Sequence, residues 1–283
     1  MITIARLTIH EAARRRILWV LLALTLVTVG LTSWGTAALA NLARDGGTGE
    51  LEIRIGVSQI LILAAFMFSF VLAMTAAFLA APAIASDLET GIAAALLARP
   101  LRRTELVVGR WLGLTAVIAT YAAASGLLEI GVVAVLTGHA PPQPLVAVAF
   151  LIGQAVVLLS TALLLSTRLP AIAAGAVSVV LFGLSWMAGV FTGIARVLGA
   201  EALADVTAAA RWLFPSDGLW RGVVYGLEPP AVVLIAAGAL GDEADANPFF
   251  AAAPPPMAFI VWSVAWIAGV VALAAWSLER REI

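Results

Sequence analysis

The sequence has no cysteine and no lysine, so all sixteen of its basic residues are arginine. Without cysteine there is no disulfide, no thiolate metal ligand and no cysteine nucleophile. Without lysine there is no Walker A loop, because that motif needs Lys to reach the nucleotide phosphates. If ATP drives this protein, another subunit hydrolyses it. Charge is also scarce, at 12% of 283 residues. The two histidines, His10 and His139, are far apart and give no metal site, and the five methionines form no cluster. The stretch Gly183–Gly189 has a serine but no base nearby, so a membrane hydrolase finds no support. A net charge of −1 gives no reason to expect a nucleic-acid partner.

What is present in excess is apolar surface. The chain is 63% hydrophobic with a mean hydropathy of +1.06, far outside the range of soluble domains. Six apolar runs fall at 17–39, 56–82, 107–137, 145–166, 170–194 and 257–278. Each is near or above the ~20 residues that cross a hydrocarbon core. The third is long enough to tilt or to project into water. The expected fold class is all-α integral membrane, with six transmembrane helices in one domain over 1–283. Residues 231–240 are apolar but too short to span, and are expected to be re-entrant or interfacial within a long outer segment, 195–256. Short loops up to residue 170 contrast with that segment and no internal repeat is visible, which weighs against an inverted-repeat secondary transporter.

Arginine placement sets the expected orientation. With the N-terminus inside, eleven arginines are inside: Arg6, Arg14–Arg16, Arg99, Arg102, Arg103, Arg110, Arg168, Arg280 and Arg281. Five are outside: Arg44, Arg54, Arg196, Arg211 and Arg221. Most acidic residues fall outside, seven of them in 195–256. Both termini are thus expected in the cytoplasm, and the protein in the cell's inner (plasma) membrane. Trp19, Trp111 and Trp276 fit an inner aromatic belt and Trp34 an outer one. A cleaved signal peptide ending at Ala38-Leu39-Ala40 is the competing reading of the start, but its apolar run is too long.

Five polar features mark the spans and their connections. Residues 1–16 place Ile2, Ala5, Ile9, Ala12 and Ala13 on one helical face, with Arg6, His10, Glu11, Arg14 and Arg15 opposite. This predicts an amphipathic interface helix, with Glu11 and Arg15 in the favoured i,i+4 order; a plain basic flank is the alternative. Between spans two and three, Ser86-x-x-Glu89 is a capping-box signature. It predicts a short helix over 86–98, ended by Arg99-Pro100, with Thr104 capping the third span. Glu129 is the one ionisable residue well inside a span, about 12 Å of helix from Thr137. It reads either as a group on a substrate or proton path or as a carboxyl hydrogen-bonded to Ser125. Gln154 reads as a polar contact between helices. In the outer segment, Ser216 or Asp217 after Pro215 reads as a helix cap.

The order Asp87-x-Glu89-x-Gly91, an apolar stretch, Arg99-Pro100-x-x-Arg103-x-Glu105, then Gly109-Arg110-x-x-Gly113 resembles the cytoplasmic loop of type-2 ABC exporter permeases. It looks closest to the branch containing the permease of the nitrous-oxide-reductase maturation system. Arg110 stands where that family often has Lys, and Ile92 where it often has Thr. Phe214-Pro215-Ser216-Asp217-Gly218-Leu219-Trp220-Arg221 is similar to the family's Pro-x-Asp element before the last span. The resemblance implies that two permease subunits pair, as a homo- or heterodimer, each docked on a separate ATPase that binds ATP and Mg. No cofactor is then expected in this chain. It also implies that the loop after span two is a coupling helix, 86–98, with Ser86, Asp87, Glu89, Gly91, Arg99, Pro100, Arg103, Glu105 and Arg110 as coupling residues. The N-terminal helix, with Arg6, His10 and Arg14, and the turn 166–170 would lie near the same interface. Two alternatives remain. The complex could transmit motion to an outer accessory protein without transport, using the acidic outer segment, or the chain could be a secondary transporter that uses Glu129.

Overall fold

The structure, a computed structural model, describes residues 1–14, 17–46, 49–90, 102–240 and 247–281. Among these residues the regular structure is all helix, in eleven segments. They are α1 (Ile2–Arg14), α2 (Ile17–Gly46), α3 (Glu50–Ala80), α4 (Pro82–Glu89), α5 (Arg103–Thr137), α6 (Pro144–Ser166), α7 (Ala171–Val197), α8 (Glu201–Leu213), α9 (Ser216–Leu227), α10 (Pro230–Leu240) and α11 (Met257–Glu279). Six apolar stretches are long enough to cross a membrane: Leu21–Leu39, Leu51–Glu89, Arg103–Thr137, Pro144–Ser166, Ala171–Val197 and Met257–Glu279. This multi-pass plan agrees with the six spans expected from hydropathy. Met1 and Arg281 both lie by the first turns of α5, at one end of the bundle, the termini end.

Local chemistry explains the boundaries. Pro82 lacks an N–H, yet Ala81 keeps right-handed helical angles and donates to Ala77 O at 2.9 Å. The second span therefore runs through α3 and α4 without a break. At the start of α5, Glu105 Oε2 accepts the Arg102 amide at 3.4 Å. That amide belongs to the N-cap residue, so Arg102 occupies the place expected for Thr104. Gly138 closes α5 with φ of +72°, which a side chain would strain, and its N–H reaches Ala134 O. Pro144 and Pro256 sit at the starts of α6 and α11, where a missing N–H costs nothing.

Span four, α6, is the centre of the bundle: 67% of its apolar window is buried, against 22% for span one. Val157, Leu158, Leu159 and Leu163 are fully enclosed. Spans one, five and six keep most of their apolar surface outward, as lipid or a second subunit would require.

The segment after span five is not a surface loop. After Gly199, at φ +67°, α8 doubles back along α7. Thr192 donates to Thr207 at 2.9 Å, Arg211 to Gly189 O at 3.2 Å, and Ser185 to Phe214 O at 2.9 Å. From Val197 to Ser185 this register descends about 18 Å of helix. Then α9 climbs back along α6, where its glycines receive side chains of the spans. A Cβ at Gly222 would lie 2.5 Å from the Phe150 ring, and one at Gly226 2.7 Å from the Ala147 amide. The element that folds back into the bundle is therefore 201–227, and of the re-entrant and interfacial readings of 231–240 only the interfacial one remains. The shorter stretch forms α10, whose Leu234 and Ile235 are exposed. Uniform apolarity marked 231–240, whereas α8 and α9 enter because their charges pair with one another.

Candidate functional site

At the termini end three elements meet on one guanidinium. Arg110, in the first turns of α5, donates to Asp87 Oδ2 from α4 and to Glu11 Oε2 from α1, each at 2.7 Å. Arg110 and Asp87 are both mostly buried, while Glu11 is half exposed. The N-terminal helix can reach this point because Gly109 and Gly113 leave a notch on α5. A Cβ at Gly113 would lie 2.6 Å from Ala5 O, and one at Gly109 2.8 Å from Ile4 Cβ. The resemblance motif Gly109-Arg110-x-x-Gly113 thus has a local physical meaning, a cradle with a charged clasp.

This docking redraws which residues form the packed face of the amphipathic helix α1. Thr8 and Ala12 are buried against α5, with Ile4 and Ala5 beside them, whereas Ile2 and Ile9 are exposed. Ile4 therefore belongs to the packed face, although it is not on the apolar face expected from the sequence. Arg6 and His10 are exposed; the side chain of Arg14, and all of Arg15, lie outside the described residues. Replacing Gly113 with Leu should drive α1 off this notch, because backbone cannot yield as a side-chain tip can. The expected result is faster proteolysis within residues 1–14 with the rest of the chain still protected; equal protection would count against the notch.

The expected capping box is also corrected. Ser86 lies inside α4, its carbonyl accepting from Thr90 N at 3.0 Å and from Thr90 Oγ1 at 2.7 Å. Residues 86–89 end a helix instead of starting one, because the apolar residues before Ser86 carry the second span straight through it. Glu89 is exposed at that end. Gly91, Arg99 and Pro100, and with them most of the expected helix 86–98, lie outside the described residues. Arg103 points to the sixth span, where its Nη1 donates to the carbonyls of Leu278, Glu279 and Arg281 at 2.9, 3.1 and 2.6 Å. Those are carbonyls that a helix C-terminus leaves without intrahelical partners. Arg168 does the same from the turn 166–170, donating to Ser277 O and Ser277 Oγ at 2.9 Å.

Within the spans, Thr32 of span one donates to Glu129 Oε1 at 2.9 Å, and Glu129 is almost fully buried. Its partner is thus on a different helix from the expected Ser125, which lies instead 3.4 Å from Thr25. Gln154 is the helix–helix contact expected of it, accepting from Ser69 at 2.6 Å and donating to Ser216 O at 3.2 Å.

In the re-entrant hairpin Asp217 is almost fully buried, 2.7 Å from Arg211 Nε and 4.0 Å from Arg221 Nε. The N-cap of α9 is Pro215, so Asp217 holds two arginines in place of the expected cap. Gly189 of span five gives it room: a Cβ there would collide with the Asp217 carboxylate. Sequence reading missed Arg211 as partner, and it missed the spacing Gly218-x-x-x-Gly222-x-x-x-Gly226, which was visible. At the far end, burial pushes Glu228 up from 4.5 to about 7, only partly offset by the Ala251 amide 3.3 Å away. The folded state therefore holds this proton more tightly than the unfolded chain, and stability falls as pH rises from 4.5 through about 7. Thermal unfolding across that window should show the loss in the parent chain and a flatter profile in Glu228→Gln.

A bundle of six apolar helices long enough to span, with a helix clasped at the termini end and a charged hairpin sunk into the far end, defines a multi-pass membrane protein. The family model for "ABC-2 family transporter protein" matches residues 2–283, and the chain belongs to that family. Membership marks it as a transport subunit of the permease type, not a catalytic one. No curated protein gives a significant match.

Proposed function

We propose that this chain is the permease subunit of an ATP-driven exporter, paired with a second permease and docked on a separate ATPase. The termini end is then cytoplasmic and the membrane the inner (plasma) membrane, in keeping with the arginine bias. The observation that carries this reading is the Arg110 clasp. It joins the N-terminal helix, the end of span two and the start of span three, so a push on either surface element reaches both spans. Exposed Glu89 and Arg6 flank that clasp as contacts for the ATPase. Arg103 couples inward on this reading: it ties the clasped region to span six and carries motion onward. The likeness to the nitrous-oxide-reductase maturation branch belongs to this proposal and rests on the loop residues alone.

The test is co-purification. Pull-down of the chain should bring a Walker-containing subunit, and Glu89→Ala should weaken that capture without changing the permease fold. Recovery of the chain with no ATPase, under conditions that preserve membrane complexes, would sink the reading. A second reading, transmission of motion to an outer protein without transport, is favoured by one observation: α10 presents Leu234 and Ile235 outward at the far end. Substrate movement in vesicles containing only permease and ATPase would exclude it.

A further inference from the structure

Glu129 stands about 12 Å of helix inside the far end of span three. It is 6% exposed, and its Oε1 accepts from Thr32 Oγ1 at 2.9 Å. Among the described residues it has no other hydrogen bond and no ion pair. It lines a cavity of about 20 Å³ that is apolar on every other side. Leu61 and Phe68 come from α3, Ile130 from α5, Val148 and Leu151 from α6, and Leu227 from α9; alanine, glycine and valine complete the wall. On α2, the Ser33 and Thr36 hydroxyls turn to carbonyls of their own helix. Among the described residues, neither a cation nor a second acid lines this cavity.

These surroundings select the ligand. An ionised carboxylate here would have one hydroxyl donor, no counter-charge and no hydration, which makes the charge very costly. A water would find one polar lining residue where it needs two to four partners. A hard metal ion takes about six oxygens, and only Glu129 and Thr32 offer side-chain oxygens here. The volume is too small for an organic ammonium. A proton needs neither space nor further oxygens. It makes the group a neutral acid that still accepts from Thr32.

A route to that acid is also built in. A second cavity, about 270 Å³, lies toward the far end and reaches the surface at Gly138 and Ala140. Arg54, Ser58 and His139 make its walls polar. Leu61 and Leu227 line both cavities, and each is 3% exposed. These two side chains are the wall that the cavities share.

We propose that Glu129 is a proton-binding site served from the far end, closed from water by Leu61 and Leu227. The acid is neutral while the two leucines meet. When they part, water from the polar cavity reaches the carboxyl and the proton exchanges with the far side. This holds whether or not an ATPase drives the chain.

Infrared spectroscopy of the full chain in lipid nanodiscs tests both parts. Each chain is measured against its own Glu129→Gln variant, which keeps the shape and an acceptor for Thr32. At neutral pH the difference should contain the carbonyl-stretch band of a neutral carboxylic acid. Leu227→Ser should admit water, so the band should vanish at a pH lower by about one unit, a tenfold weaker hold on the proton. Leu61→Ser should do the same from the other side of the wall. Leu114→Ser, equally buried in span three but outside both cavities, should leave that pH unchanged. Carboxylate bands in place of the acid band at neutral pH would overturn the proton site. Shifts no larger in Leu227→Ser and Leu61→Ser than in Leu114→Ser would overturn the far-end route.

Discussion

Replacing Arg110 with alanine should free the N-terminal helix and uncouple the proposed ATPase from the spans. The guanidinium makes two charged hydrogen bonds at 2.7 Å, to Asp87 and Glu11, from a mostly buried position. Hydrogen bonds to charged groups contribute about 1.5–3 kcal/mol each, and the two share one group, so a loss of about 2–3 kcal/mol is expected. Only the half-exposed Glu11 bond holds α1, so at 1.4 kcal/mol per factor of ten undocked α1 should rise by roughly tenfold. Limited proteolysis reads this directly, as cleavage within residues 1–14. Arg110→Lys should fall between, because an ammonium lacks the planar fork that spans two carboxylates. Glu11→Gln should loosen α1 alone and keep the Asp87 bond. For activity, Arg110→Ala should leave ATP hydrolysis in the assembled complex while transport drops by roughly tenfold or more. If α1 stays protected and transport stays coupled in Arg110→Ala, the clasp has no mechanical role.

The six spans were legible because crossing a bilayer requires long apolar helices, and hydropathy reports that requirement directly. The start of α5 was read two residues late, at Thr104 instead of Arg102, and its close at Gly138 went unread. The termini-end site was half legible. Asp87 and Arg110 stood out through the family resemblance, but their third partner, Glu11, is ninety-nine residues from Arg110 and looked like a partner for Arg15. Ser86 misled because a capping box is a local pattern, while the apolar helix arriving from Pro82 decides that local contest. Gly109 and Gly113 were visible but without meaning until Ile4 and Ala5 were placed over them. The hairpin 201–227 was illegible for a related reason. Its short helices carry Arg211 and Asp217, which look soluble until the two are seen to pair. Glycine spacing in α9 held the signal, since Gly222 and Gly226 admit Phe150 and Ala147 at distances that any side chain would block.

Removing the carboxylate of Asp217 should be the most destabilising single change in the hairpin. Asp217→Ala leaves Arg211 and Arg221 side by side and mostly buried. Breaking a buried ion pair by deleting one partner costs about 3–5 kcal/mol, because an uncompensated charge remains. The expected outcome is a lower midpoint of thermal unfolding in detergent and early exposure of the hairpin to protease. Asp217→Leu combined with Arg211→Met should recover most of the loss, since a well-packed apolar pair often replaces a buried ion pair without penalty. Gly189 supplies an independent check on the geometry. Gly189→Ala places a methyl against the Asp217 carboxylate, so it should destabilise the parent chain. In the Asp217→Ala background the obstacle is gone and the same methyl fills vacated space. The two substitutions should therefore couple, with the double variant more stable than the sum of the singles predicts by about 0.5–3 kcal/mol. Strict additivity would mean that Asp217 does not rest on Gly189, and the descent of the hairpin along span five would have to be redrawn.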